Sequence, residues 1–384
     1  MSTPSIETEL KSRALTDLKI ELGHCRVMFA YDAARSIDLD EAERRIQETG
    51  RYRTVRHKRI APAFLDYRPS PLRMSHESEP LQAGPFRTIP TVDILIYDFG
   101  AVAVYYSIPL PSSLESLLPL STELYANEVL SSNSRKRVED LLTLIESAAT
   151  LPQISNLVED YAIFHIEELS MPLDPSKFCE RYGRQIAQIL RAEKRPLSDA
   201  EVADVLSATM SYGPEDILII DWNAALLIDR EGEDVREVVQ FANVELLEMR
   251  HLDQRLGCAL DQSWETVSKR RSSLAHRLGR YGTGLRAIAE LQVDNATLFE
   301  GVNNALKLLG DQYLARVYRM VSRRFHLDDW DAGILRKLGT LDSIYQKMSD
   351  QAAARRMEVL EWVVIILIAF SIFLQLLPFW LPYR

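Results

Sequence analysis

A long apolar run near the C-terminus constrains this chain more than any other feature of its sequence. From Trp362 to Leu377 almost every residue is apolar, and Trp380 lies just beyond that run. Roughly 20 helical residues, at ~1.5 Å each, span the ~30 Å hydrocarbon core of a membrane. Trp362 at one end, with Trp380 and Tyr383 at the other, suit the two membrane interfaces. The run predicts a single transmembrane helix within an anchor at 358–384, and the alternative is a buried core helix.

The rest of the chain places the preceding body on the side of the membrane where it was made. Residues 1–20 form a polar tail of mixed charge, with neither the apolar core of a signal peptide nor the bias of a transit peptide. The three cysteines are widely separated, as is typical of a reducing compartment. Arg355 and Arg356 precede the apolar run, and cationic flanks stay in the cytoplasm. We therefore predict a single-pass membrane protein with a cytoplasmic N-terminal body.

Residues 21–231 are predicted to form an α/β body that contains two similar β-hairpins. Residues 92–106 and 215–229 share an apolar run, a turn that begins with Asp and an aromatic residue, and a second apolar run. The last turn position falls in the left-handed region, which Gly100 tolerates freely and Asn223 tolerates better than most residues. Strands that are apolar on both faces belong in the centre of a sheet covered by helices. The predicted fold class is α+β, and the repeated hairpin suggests two related halves about an approximate two-fold axis.

Two further segments complete the predicted organisation. A proline-rich stretch at 61–90 is predicted as a loop inside the body, and long helices follow the body at 232–357. The last of these helices carries an apolar stripe with alternating spacings of four and three residues, which is typical of a coiled coil. Two interpretations stay open, an intramolecular bundle and a stalk that assembles a homo-oligomer. The residues of this seam are Ile334, Leu338, Leu341, Tyr345 and Met348.

A basic segment lies between residues 51 and 59, in a stretch with no acidic residue between Glu48 and Asp66. Its cations could contact RNA phosphates or the ribosome, or they could protect an edge strand against pairing. The net charge of −10 over 384 residues argues against indiscriminate binding to nucleic acid, although a local basic patch is compatible with it. The cations of this segment are Arg51, Arg53, Arg56, Lys58 and Arg59.

Asp98 and Asp221 occupy equivalent positions in the two predicted hairpin turns. A two-fold axis could bring the two carboxylates together, which would make a weak candidate for a divalent-cation site. The alternative is that each aspartate caps its own turn by accepting hydrogen bonds from backbone amides. We find no catalytic motif of a known type, so the sequence predicts neither a cofactor nor a defined enzymatic activity.

Several segments resemble a family of membrane-associated proteins named for a protein required for meiotic nuclear division, whose bacterial members are called YagE-like. The resemblance lies in 360–368, read as Leu-Glu-Trp-Val-Val-Ile-Ile-Leu-Ile, in 29–39, and in the two hairpins. The resemblance implies a membrane-associated protein without a defining enzymatic activity. The mitochondrial members of that family support translation. Since this chain lacks a transit peptide, the resemblance implies a bacterial inner-membrane protein.

Three functional hypotheses follow from the sequence. The first is a non-enzymatic membrane-anchored scaffold that oligomerises through its C-terminal helices and presents the body to a protein partner. The second is a factor that contacts RNA or the ribosome through the basic segment and supports translation. The third is a metal-dependent enzyme that uses Asp98 and Asp221.

Overall fold

A computed structural model describes residues 18–50, 53–55, 70–268 and 312–380. The chain divides into two compact units, one formed by 1–251 with 297–330 and the other by 252–296 with 331–384. The first unit thus holds the predicted body at 21–231 together with the start of the helix that follows it and with a later helix.

The strands of the described residues form one large sheet and two small ones. The strands are β1 (Ile20–Asp32), β2 (Ser36–Ile37), β3 (Arg53–Val55), β4 (Leu72–Glu77), β5 (Gln82–Ala83), β6 (Phe86–Arg87), β7 (Thr91–Ile96), β8 (Ala101–Pro109), β9 (Ala149–Thr150), β10 (Glu159–Leu169), β11 (Thr209–Met210), β12 (Ile217–Ile220) and β13 (Ala224–Ile228).

The large sheet has nine strands in the order β11-β12-β13-β10-β1-β8-β7-β4-β3. Within it β10 pairs with β13 in parallel, and the other neighbouring strands pair antiparallel. The long strand β1 lies in the centre, where it pairs with β10 on one side and β8 on the other. The sheet thus combines strands from both ends of the body.

The helices of the described residues follow from clear sequence signals, as when the predicted cap Asp38 accepts hydrogen bonds from the amides of Asp40 and Glu41. Two short 3₁₀ turns occur at Leu114–Ser116 and Glu146–Ala148. The α-helices are α1 (Leu39–Glu48), α2 (Leu117–Leu124), α3 (Glu128–Leu144), α4 (Pro175–Leu190), α5 (Asp199–Ser207), α6 (Glu233–Ser268), α7 (Gln312–Arg324) and α8 (Leu327–Trp380).

Both faces of the sheet are buried. On β1, Cys25, Val27 and Phe29 face the main hydrophobic core, to which α1 to α5 also contribute buried residues. The intervening residue Met28 is equally buried but faces the opposite side. There α6 covers the sheet, as shown by the contact between Arg236 on α6 and His165 on β10. Of the predicted hairpin strands, β8, β12 and β13 are buried on both faces, as expected of strands covered by helices, whereas β7 buries only alternate residues.

Both predicted hairpins are present, but their turns differ. Gly100, between β7 and β8, has a φ of +104° as predicted. Asn223 is not among the described non-glycine residues with a positive φ, so the predicted left-handed turn residue is wrong there. In that turn the amide of Asp221 instead donates to the carbonyl of Ala224 (2.9 Å), which closes the chain without a left-handed residue.

The two hairpins are not repeated units about a two-fold axis. The hairpin β7–β8 adjoins the central strand β1 through β8, and this pair is antiparallel. The hairpin β12–β13 adjoins the central strand β10 through β13, and this pair is parallel. A duplicated unit would keep the same pairing sense in both copies. The similar sequences therefore reflect the common requirements of two buried hairpins in one sheet.

The structure also corrects the predicted proline-rich loop at 61–90. β4 lies inside that stretch and pairs along its length with β7. Its alternating side chains Leu72 and Met74 are buried, and Leu72–Glu77 contains no proline to interrupt the ladder. Residues 61–69 lie outside the described residues.

The structure contradicts the transmembrane anchor predicted at 358–384. In the part of the chain that the structure describes, no helix has an apolar stretch long enough to cross a membrane.

The membrane localisation, the membrane partner and the interface residues depended on that anchor and are corrected with it. Trp362 is exposed on α8, Trp380 is the last residue of that helix, and Tyr383 lies outside the described residues. The fold is therefore a sheet-rich mixed α/β body with long C-terminal helices.

Burial within one copy of the chain accounts for most of the seam predicted on the last helix. Four of its residues are at most 6% exposed, and Tyr345 is half-buried. Lys337 on α8 also forms an ion pair with Asp253 on α6 (2.6 Å), so these two helices contact each other in the second unit. The intramolecular alternative explains the stripe, and self-association through it stays a prediction. The four buried residues are Ile334, Leu338, Leu341 and Met348.

Candidate nucleic-acid interface

The two aspartates proposed for a metal site are far apart. Since β8 and β13 run in the same direction, the turns that contain Asp98 and Asp221 lie at the same end of the sheet. Four strand spacings of ~4.8 Å separate the two hairpins, a distance of about 19 Å. The carboxylates therefore cannot share one ion.

Asp221 is instead the acceptor in a buried ionic cluster. Its side chain is 1% exposed and accepts hydrogen bonds from Nε of Arg191 (2.9 Å) and Nε of Arg324 (3.0 Å). Both arginines also contact Asp204. Two guanidinium groups leave this carboxylate no role as a metal ligand, and the described residues contain no cluster of His, Cys, Asp and Glu suited to a metal. Asp221 thus fixes α4 and α7 to the turn between β12 and β13.

Asp98 caps its own turn, as the alternative interpretation of this residue expected. Burial raises the pKa of its carboxyl group, while hydrogen bonds from the amides of Asp98 and Phe99 oppose the shift. Its carbonyl accepts a hydrogen bond from the amide of Ile37 (2.8 Å), so the turn is tied to the neighbouring segment.

The basic segment is only partly visible. Arg53 lies on β3, which is the edge strand of the large sheet, in agreement with the edge-strand interpretation of this segment. The remaining cations, Arg51, Arg56, Lys58 and Arg59, lie outside the described residues.

A different basic surface lies on α7. Along this helix the buried positions, including Val317 and Val321, face the unit to which α7 belongs, and Tyr318 donates a hydrogen bond to Glu245 on α6 (2.6 Å). The opposite face carries three exposed arginines at spacings of three and four residues, so they line up along one side of the helix. These are Arg316, Arg319 and Arg323, which we call the arginine row.

The arginine row borders a groove of about 540 Å³. One wall is α7, and the other is the end of α5 with the edge strand β11. Ala208 and the two methionines Met210 and Met320 supply apolar surface between the charged groups. The groove therefore offers cations along one side and an apolar floor.

The arginine row carries uncompensated charge. Within the described residues none of its three members forms an ion pair, and Nε of Arg319 donates only to the carbonyl of Ala315 in its own helix (3.2 Å). The next arginine, Arg324, differs because Asp204 and Asp221 neutralise it. Hence Arg324 holds the helix in place, whereas the row is available to an anion.

Exposed aromatic rings lie at both ends of α7. At its N-terminal end Tyr212, which is 75% exposed, lies against Tyr313 with 4.9 Å between ring centroids. At its C-terminal end Trp222, which is 45% exposed, stacks on His326 at 5.2 Å and 18°. His326 has a φ of +52°, which ends the helix and turns the chain beside Trp222. The two aromatic pairs are about 20 Å apart along the helix.

This surface is not among the sites predicted from the sequence. The apolar positions of α7 predict a helix but say nothing about its polar face. The signal was present as Tyr313, Arg316, Arg319 and Arg323, one cationic stripe that begins at an aromatic ring. Tyr212 and Trp222 are about a hundred residues away along the chain, so only the fold shows that they flank the same helix.

Comparison with known proteins identifies a family for most of the body. Residues 22–234 match the family described as "Uncharacterized protein MJ0711, N-terminal domain". The uncharacterized protein MJ0711 of Methanocaldococcus jannaschii is 22% identical over 225 residues, which cover 57% of this chain and 66% of the relative, slightly less than two thirds of its length. No solved structure matches the chain. These matches contradict the resemblance to the meiotic-nuclear-division and YagE-like family, to which neither of them points.

Proposed function

The chain belongs to the family of the MJ0711 N-terminal domain, and on that premise we propose that it binds single-stranded nucleic acid along α7. The observation that carries this proposal is a row of three exposed arginines, none of which forms an ion pair within the described residues, with an aromatic pair that includes an exposed ring at each end. The family region supplies Tyr212, Trp222 and the β11 wall of the groove, and α7 supplies the cations. The second sequence hypothesis, contact with RNA, is thereby moved from residues 51–59 to α7.

The arginine row suits the phosphate backbone. A guanidinium group is always charged and presents a planar set of donors that matches phosphate oxygens. Three such groups in line can follow a strand along the groove, and each phosphate contact releases a bound counterion. Since the chain as a whole carries a net charge of −10, the binding is local to this surface and sensitive to salt.

The aromatic pairs suit unpaired bases. Stacking of a base on an aromatic ring contributes roughly 1–3 kcal/mol and tolerates any base, because every base has a π face. Trp222 and Tyr212 are exposed, and their partners His326 and Tyr313 hold the rings in place from behind. A duplex hides its base faces, so this arrangement favours single strands.

The other two sequence hypotheses have less support. The scaffold hypothesis rested on a membrane anchor and on a seam that one copy of the chain already buries. The metal-enzyme hypothesis rested on Asp98 and Asp221, which are separated by half of the sheet.

Fluorescence anisotropy with a labelled uridine oligonucleotide of about 12 residues tests the proposal. We expect replacement of Arg316, Arg319 and Arg323 by alanine to weaken binding by more than tenfold and to flatten the dependence of affinity on salt. A Trp222→Ala variant should weaken binding without changing the salt dependence, because it removes stacking and no charge.

A matched control distinguishes the loss of contacts on α7 from the general effect of removing three positive charges. Replacing the exposed Arg44, Arg184 and Arg230 by alanine changes the net charge equally and leaves α7 intact. An unlabelled duplex should compete poorly, and a single-stranded DNA competitor distinguishes RNA from DNA. Equal losses in the control and in the row variant, or no binding by the wild-type chain, would contradict the proposal.

A further inference from the structure

A serine, a histidine and an aspartate from three separate elements meet at one end of β1. Nε2 of His251 on α6 lies 3.2 Å from Oδ2 of Asp32, the last residue of β1. Nδ1 of the same ring lies 3.2 Å from Oγ of Ser155, in the loop before β10. All three residues belong to the first compact unit. The imidazole ring is thus held between a carboxylate and a hydroxyl.

The contacts define how the protons are arranged. A neutral imidazole carries one N–H and one lone pair. With the N–H on Nε2, His251 donates to Asp32, and its Nδ1 lone pair accepts the hydroxyl proton of Ser155. This is the logic of the Ser-His-Asp triad with the two ring nitrogens exchanged, and such triads are recognised by geometry and roles rather than by sequence order.

The backbone fixes Ser155 beside the ring. Its amide donates to the carbonyl of Asp32 (2.8 Å), and Nη1 of Arg135 donates to its carbonyl (3.2 Å). Its Oγ also accepts a hydrogen bond from the amide of Leu157 (3.1 Å). The serine and the aspartate are therefore positioned against each other before a substrate arrives.

The cluster remains accessible from outside. The side chains of His251 and Asp32 are 21% and 16% exposed, and Ser155 is half-buried. If the cluster only held the loop against α6, the hydrogen bond between Ser155 and His251 would be sufficient. The carboxylate on the other side of the ring is the additional element, because it orients the imidazole and stabilises the imidazolium that forms when the serine loses its proton.

We propose that Ser155 is a nucleophile toward small carboxylic esters, with His251 as its general base and Asp32 as the positioning residue. The Oγ–H proton moves to Nδ1 of His251 while Oγ forms a bond to the carbonyl carbon. The bond from that carbon to the alkoxy oxygen breaks, and the leaving alcohol takes the proton from His251. Water then attacks the acyl-serine by the same route and releases the carboxylic acid. This activity is independent of nucleic-acid binding on α7.

Labelling of the full chain with a fluorophosphonate probe tests the proposal. In this reaction Oγ forms a bond to phosphorus, the P–F bond breaks, fluoride leaves, and the serine proton passes to His251. We expect peptide mass spectrometry to find the label on Ser155, with a labelling rate that rises with pH as the imidazole loses its proton. Hydrolysis of p-nitrophenyl acetate should follow the same pH profile.

Variants assign the roles. His251→Gln should abolish labelling, and Asp32→Asn should slow it by more than tenfold, with circular dichroism confirming that both remain folded. Ser132→Ala is the matched control because it removes the hydroxyl of an exposed serine on α3, and it should label as the wild type does. An unlabelled Ser155 in the wild-type chain, or equal labelling in His251→Gln, overturns the proposal whether or not Ser155→Ala folds.

Discussion

At the scale of single residues, Gly100 is a position where the geometry of the turn leaves no room for a side chain. Its φ is +104°, and a Cβ atom there would overlap the carbonyl oxygen of Ala34. We expect Gly100→Val to abolish folding or to lower the free energy of unfolding by several kcal/mol, as measured by urea denaturation.

Gly50 provides the matched control for that prediction. It also has a positive φ, +61°, but nothing lies within 4 Å of a Cβ atom built on it. Gly50→Ala should therefore cost only about 1 kcal/mol. Asn223→Gly should also cost no more than about 1 kcal/mol, because it removes no backbone contact and only adds conformational freedom to the unfolded chain. Equal losses at Gly100 and Gly50 would show that the clash with Ala34 is not the cause.

Glu159 is the residue whose titration should be visible in the stability of the protein. Burial raises the pKa of its carboxyl group from 4.5 to about 7, against the opposing effect of Arg250, which forms an ion pair with it. Below pH ~4.5 the folded and unfolded states both hold the proton, and above the folded pKa both have lost it. The folded state is therefore penalised as the pH rises from about 4.5 to 7, by at most about 3 kcal/mol.

Glu159→Gln should remove that part of the pH dependence. The measurement is the free energy of unfolding of the wild type and the variant between pH 4.5 and 8, compared as slopes rather than as absolute values. Glu139→Gln is the control, because Glu139 is exposed and pairs with Arg135 at the surface. A wild-type slope that persists in Glu159→Gln would assign the titration to another group.

At the scale of elements, the sequence predicted what depends on local pattern. The cap Asp38, the glycine turn at Gly100 and the burial of the hairpin strands β8, β12 and β13 all follow from residue types a few positions apart. The order of strands does not, because β1 pairs with β10 across more than a hundred residues, and no local pattern encodes that partner. For the same reason, the sequence does not predict that Tyr212 and Trp222 lie beside α7.

The apolar pattern of α8 misled the prediction in a different way. Hydrophobicity and spacing show that a helix has an apolar side, but they do not show what covers it. The structure places Leu341 and Met348 against the same chain and leaves the side chains of Trp362 and Phe373 exposed. The apparent symmetry of Asp98 and Asp221 was wrong for a similar reason, since two turns of similar sequence lie far apart in the sheet.

At the scale of the whole molecule, the described side chains that are buried end at Met348. Met348 is the last described residue with a buried side chain, and every described side chain from Ala353 to Phe373 is exposed. A chain that ends at Asp350 should therefore keep its melting temperature within a few degrees, as measured by circular dichroism.

A chain that ends at Trp330 is the comparison for that truncation. It loses Ile334, Leu338, Leu341 and Met348, and it uncovers the apolar side chains that these residues contact. We expect this shorter chain to melt lower or to aggregate. Loss of structure in the chain that ends at Asp350 would show that the C-terminal part of α8 contributes to the core.

The central position of β1 has a consequence for the folding of this protein during its synthesis on the ribosome. After its own synthesis, β1 must wait for β8 and then for β10, since His24 pairs with Pro109 on one side and with His165 on the other. At ~5–20 residues per second, roughly 7–28 seconds separate the synthesis of His24 on β1 from that of its partner His165 on β10. During that interval β1 has open edges and an apolar surface that would recruit other nascent chains. Because of this order of synthesis, we expect molecular chaperones to bind β1 in the nascent chain.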